Sequence, residues 1–202
     1  MGTMAVHNRW AEDISGLSSG GLPLGTTGKA FCQHVWTLLF SAMRELGSSY
    51  HCFLSVGHQP DALDFLQGKD NEQRRSQIPP NVTLRSSMQQ VVMLSDYAHA
   101  FVTHAGFNSL QESLIAGVPL VALPQAVDQP TNARTIEKRG WGRAFMRPME
   151  ASPDALAAAL REVAAEGSAF RAAAAEAGAQ LRGGQARAAD LLVGLAGQRA
   201  GC

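Results

Sequence analysis

The chain has no net charge to offer: seventeen Lys and Arg stand against seventeen Asp and Glu in 202 residues. With no long-range field of either sign, nothing draws in a polyanion, and a nucleic acid is not an expected partner. Cysteine is scarce as well. Cys32, Cys52 and Cys202 are odd in number, widely spaced and free of any CxxC pair, so neither a disulfide framework nor a zinc knuckle is indicated. Long apolar runs are missing: none approaches bilayer length, and the first twenty residues mix Asn8, Arg9, Glu12 and Asp13 with a Ser/Gly run in place of a leader's apolar block. These absences lead us to expect a soluble protein of the cytoplasm. No His/Cys/Asp cluster suggests a metal, and none is expected.

What is present is an alternation of strand and helix patterns. Residues 1–21 are polar and then Gly/Ser-rich and read as a flexible linker. The fold is expected to begin near Leu22, where LPLGTT is a poor strand because Pro23 cannot donate to a ladder. Phe31, Val35, Leu38, Leu39, Ala42 and Leu46 lie on one face of a predicted helix that Gly47 stops. A buried strand is predicted over 50–56, a polar surface segment over 57–80, and a short strand at 82–84. Helices near 91–95, 107–116 and 129–139 then alternate with strands at 100–103 and 119–123. Such alternation predicts an α/β domain over 22–150, a Rossmann-like parallel sheet with helices on both faces, whose ligand sits at the carboxyl ends of the strands. Beyond Pro148 the chain turns Ala-rich. Ser152-Pro153-Asp154 is a helix start, and residues 151–202 read as a helical tail packed on the same domain.

The chemistry is expected in FVTHAGFNSLQESLIAGVPLVALPQAVDQ, residues 101–129. Residues 104–109 fall between the end of a strand and the start of a helix, where unpaired N–H groups and the helix dipole make an anion site suited to a phosphate or diphosphate. Gly106 allows close approach, Asn108 and Ser109 supply side-chain donors, and His104 can donate one N–H. Glu112, one turn past Asn108, can accept from ribose hydroxyls. Asp128 and Gln129, at the next strand-to-helix corner, pair an acceptor with a donor as a sugar requires. Taken singly each has a plainer account, with Asn108, Ser109 or Asp128 as helix caps and His104 as a buried histidine. GTTGK at Gly25–Lys29 is not a phosphate loop, because Pro23 holds the place of its first glycine and Ala30 that of its Ser or Thr.

These residues, with Ala116-Gly-Val-Pro119 and Pro124-Gln125, resemble the donor-binding signature of the UDP-glycosyltransferase and macrolide glycosyltransferase superfamily, which has the GT-B fold. The resemblance spans about residue 22 to the end, the carboxyl-terminal half of such enzymes. It implies that His104, Asn108, Ser109, the backbone of Phe107, and Thr26 hold the diphosphate. It further implies Glu112 on the ribose, Asp128 and Gln129 on the transferred sugar, a nucleotide sugar (UDP for preference) as co-substrate, and no metal. The implied reaction moves a hexose to a hydroxyl of a small-molecule or lipid acceptor. The chain departs from the family at Ser87-Met88-Gln89-Gln90, where a Trp-x-Pro-Gln motif is usual. Gln90 survives, while the ring that would stack on uracil, worth about 1 kcal/mol, is gone. The acceptor pocket and catalytic base lie in an amino-terminal domain in such enzymes, so the catalytic residue is unassigned. The acceptor half is expected to be missing or on another chain, and the expected partners are a separate acceptor-domain chain or further copies in a homo-oligomer. The alternative is a non-catalytic nucleotide-sugar-binding module.

Overall fold

The computed structural model describes residues 10–17, 21–68 and 70–199. Helix α1 (Gly28–Leu46) precedes strand β1 (Cys52–Ser55), short helix α2 (Asn71–Arg75), β2 (Val82–Arg85) and α3 (Gln90–Asp96). Next come β3 (Phe101–Thr103), α4 (Phe107–Ile115), β4 (Leu120–Ala122), α5 (Gln129–Lys138) and β5 (Gly142–Ala144). Helices α6 (Pro153–Ala164), α7 (Ala169–Leu181) and α8 (Gly184–Arg199) complete the chain. Among the described residues the five strands pair in parallel, β1 with β2 in one sheet and β4 between β3 and β5 in another.

Strand β4 shows how the sequence makes this architecture. Leu120 and Ala122 pack with Leu110, Leu114, Ala133, Ile136 and Ala174, while Val121 and Leu123 pack with Leu38, Leu39, Leu156 and Leu160. The strand is buried on both faces, which is why its sequence is an unbroken apolar run and not an alternation. Helices α1 and α6 therefore cover one face of the β3–β4–β5 sheet and α4, α5 and α7 the other. Caps set the helix limits. The Thr27 side chain accepts from Ala30 N and the Ser152 side chain from Ala155 N, while Gly47, at φ 69°, ends α1 in a conformation that favours glycine.

Four features differ from the sequence reading. Residues 10–17 are not a free linker: Ile14 is fully buried, the Trp10 and Trp36 rings lie 6.2 Å apart, and Asp13 forms an isolated bridge with Thr27. Two apolar residues in a polar stretch were too sparse a pattern to reveal this; residues 1–9 and 18–20 lie outside the described residues. LPLGTT makes no strand, because Pro23 O accepts from both the backbone N and the hydroxyl of Thr26, closing a turn with Gly25 at φ 79°. The 50–56 strand shortens to four residues with Phe53 about half exposed, and in the following surface segment Ala62 and Leu66 are buried. Strand β5 was not anticipated. Its three residues include an Arg, and Gly142 packs so closely on β4 that a Cβ there would overlap the Leu120 carbonyl.

Candidate functional site

The carboxyl ends of β3 and β4 each turn into a helix, and the two corners carry most of the expected site residues. At the first corner Ala105 adopts φ 65°, outside the usual range for a residue with a Cβ. Two hydrogen bonds hold it: Ala105 N donates to Thr103 Oγ1 at 3.2 Å and Ala105 O accepts from Asn132 Nδ2 at 2.9 Å. The chain leaves this turn extended at Gly106, φ −61° and ψ 142°, which is the N-cap of α4 and has no capping side chain. The amides of Phe107, Asn108 and Ser109 thus open α4 without an intrahelical acceptor, at the positive end of its dipole.

Gly106 is required for a reason other than ligand approach alone. A Cβ built on it would lie 2.6 Å from His104 Nε2, so the imidazole is folded over the glycine at the mouth of the helix. Burial pushes the His104 pKa below its ordinary value, and the carboxylate of Asp128, from the second corner, pulls the other way with smaller effect. A neutral ring at pH 7 keeps one N–H donor and one acceptor nitrogen.

A second cluster lies one turn along α4. Gln90, the first residue of α3, donates through Nε2 to Ser109 Oγ at 3.1 Å and to Glu112 Oε2 at 2.6 Å. Ser109 is buried, Gln90 and Glu112 are half-buried, and Phe107 and Asn108 are exposed at the opening. Three residues separated by up to 22 positions in sequence are therefore in contact. Each carries a side-chain acceptor or donor suited to hydroxyl groups.

At the second corner Val127, a β-branched residue, sits at φ 62°, and Val127 N donates to Leu17 O at 2.9 Å. Two such residues in the left-handed region cost about 1–2 kcal/mol each. Such strain persists where surrounding bonds enforce it and is common at functional sites. Gln129 Oε1 accepts from Gln125 N at 2.9 Å and Ala126 N at 3.0 Å, so its carbonyl group is occupied by the corner's own backbone. Asp128 is exposed, does not cap α5, and accepts at Oδ2 from Asn132 Nδ2 at 2.8 Å. Thr26 is buried with its hydroxyl on Pro23 O. Asn132 is the residue here that the sequence reading does not single out, and the left-handed turn at Ala105 and the burial of Gln125 are features it does not foresee. Asn132 follows Asp128 by four positions, a helical spacing that places both on one face and was available as a signal. Gln125 stands in the Pro124-Gln125 pair of the signature, without a role assigned to its amide, and is fully buried with no partner for Nε2 among the described residues.

Other chemistry is weakly supported. Lys29 of GTTGK is bound to Asp61 at 2.8 Å and Asp64 at 2.6 Å, so its ammonium is engaged away from any phosphate. Burial raises the thiols of Cys32 and Cys52 to about 12, which leaves both protonated and poor nucleophiles. Among the described residues no group of three or more His, Cys, Asp or Glu is arranged to hold a metal ion, and no helix is long and apolar enough to cross a membrane.

Two strand-to-helix corners at the carboxyl ends of a covered parallel α/β sheet define the class of fold, and comparison with known proteins gives the family. The family model for the carboxyl-terminal domain of erythromycin biosynthesis protein CIII-like proteins matches residues 65–184, and the chain belongs to that family. The solved structure of the glycotransferase of kitacinnamycin is 34% identical with a TM-score of 0.65, covering 78% of this chain and 38% of that one. Among curated proteins, the NDP-glycosyltransferase YjiC of Bacillus subtilis is 30% identical over 147 residues, 72% of this chain and 33% of YjiC. The structure of Os79 from O. sativa in complex with UDP shares the fold at 24% identity and a TM-score of 0.58, over 71% of this chain and 33% of Os79. The fold is thus the carboxyl-terminal half of a GT-B glycosyltransferase. The chain spans a third or less of the length of the curated relatives it matches.

Proposed function

We propose that this domain binds the nucleoside-diphosphate part of a UDP-hexose. The sugar would be presented for transfer to a hydroxyl of a small-molecule or lipid acceptor held by a second domain or chain. The observation that carries this reading is the junction of α3 and α4. Open amides and a neutral His104 stand at one end, with Gln90, Ser109 and Glu112 joined by hydrogen bonds beside them. The diphosphate would take the amides and an imidazole N–H, which stabilise charge on the leaving group without a proton having to be supplied by a charged side chain. Glu112 and Gln90 would take the ribose hydroxyls. Asp128, exposed and with one oxygen uncommitted among the described residues, would take a sugar hydroxyl. The NDP-glycosyltransferase relative and the UDP complex of a structure with the same fold support the choice of nucleotide. A thermal-shift panel of nucleotides and nucleotide sugars tests it. UDP and UDP-sugars should raise the unfolding midpoint and adenosine should not, since only a ligand of the folded state does so. No shift with any uridine nucleotide contradicts the reading.

A second reading, a nucleotide-sugar-binding module without transfer activity, is favoured by two observations. No strand precedes α1 among the described residues, and exposed Ser87 stands where a stacking ring would be. Sugar transfer from a UDP-sugar by the purified chain supplied with acceptors would rule it out.

A further inference from the structure

Asn132 makes two hydrogen bonds from a single amide nitrogen. Nδ2 donates at 2.9 Å to the Ala105 carbonyl, 27 positions earlier in the chain, and at 2.8 Å to the Asp128 carboxylate one helical turn before it. The second bond alone would be an ordinary pair along a helix. The first reaches across to the neighbouring strand-to-helix corner, and both hydrogens of one planar NH2 group fix the two acceptors relative to each other. Ala105 is one of two described non-glycine residues at positive φ, and Val127, the other, adjoins Asp128. One side chain therefore touches both strained corners.

Peptide planarity gives this tie a consequence at the site. With the Ala105 carbonyl turned toward Asn132, the N–H of Gly106 in the same peptide unit points the opposite way. It has no acceptor among the described residues and precedes the free amides that open α4. On the other side, Asn132 occupies Oδ2 of Asp128 and leaves Oδ1 available.

Resting on the donor-site reading above, we propose that Asn132 is a positioning residue that couples the diphosphate corner to the sugar corner. It aims the Gly106 amide and the Asp128 carboxylate together without itself touching the ligand. A UDP-sugar, which uses both corners, gains more from Asn132 than UDP, which uses one. The test compares wild type with Asn132→Ala. Asn132→Leu, which fills a similar space without a donor and without adding a charge beside Asp128, serves if the alanine variant fails to fold. Calorimetry should show UDP-glucose affinity falling on the order of tenfold, the size expected for losing a charge-assisted hydrogen bond, and UDP affinity falling less. Hydrogen exchange on the ligand-free proteins should quicken at the hydrogen-bonded amides of Ala105, Ala126, Val127 and Gln129 together, and not in α1 or α6. Equal losses for the two ligands, or faster exchange at one corner only, would overturn the coupling while leaving the donor reading intact. If wild type binds neither ligand, the donor reading falls. The exchange data then still decide whether Asn132 ties the corners: joint quickening upholds the tie, and its absence overturns that too.

Discussion

A hydrogen atom's worth of space above Gly106 determines where the His104 imidazole rests. Gly106 has φ −61°, a value any residue adopts, so Gly106→Ala should fold, but its Cβ would be 2.6 Å from Nε2 and must displace the ring. UDP affinity measured by calorimetry should then fall about as far as in His104→Ala, on the order of tenfold, with the melting midpoint nearly unchanged. The same histidine makes a prediction about pH. Its folded pKa lies below the ordinary value of 6.5 because burial disfavours the charged ring. Below pH 6.5 the unfolded chain takes up a proton that the folded chain resists, so stability is full above that pH and declines as pH falls. Melting curves between pH 5 and 8 should show this decline, and His104→Asn should flatten part of it; an unchanged pH dependence would contradict the burial argument.

Helices α4 and α7 are pressed together at Gly178, where a Cβ would overlap the Leu114 carbonyl of α4. Gly178→Ala should push the two helices apart at a cost of about 1–3 kcal/mol. It should lower the melting midpoint by several degrees and weaken UDP binding as well, because α4 carries the site. An unaltered midpoint would show that the contact yields freely. Elements of this kind were legible in the sequence to the extent that their periodicity was strong. The α1 face from Phe31 to Leu46, the doubly buried β4 and the Ser152-Pro153-Asp154 start all emerged where expected. Strand β5 and the packing of Trp10 and Ile14 did not, because three residues containing Gly142 and Arg143, or two isolated apolar side chains, carry no period. They are placed by tertiary contacts. The site divides in the same way. The contact of Gln90 with Ser109 and Glu112 joins residues that the family motif names singly, whereas Asn132 acquires its second partner only when β3 and β4 lie side by side.

At the scale of the molecule, the three-stranded parallel sheet, covered on both faces, brings two strand-to-helix corners together, and the segment at 10–17 reaches the second of them through Leu17 O and Val127 N. In the proposed function these two corners are the parts that hold the nucleotide sugar, while transfer calls for an acceptor pocket and a base. The most direct test of the account is isothermal calorimetry of UDP with the wild-type chain and with His104→Ala. It predicts saturable binding at one site per chain and at least tenfold weaker binding in the variant. No binding to the wild type, or equal binding to both proteins, would contradict it.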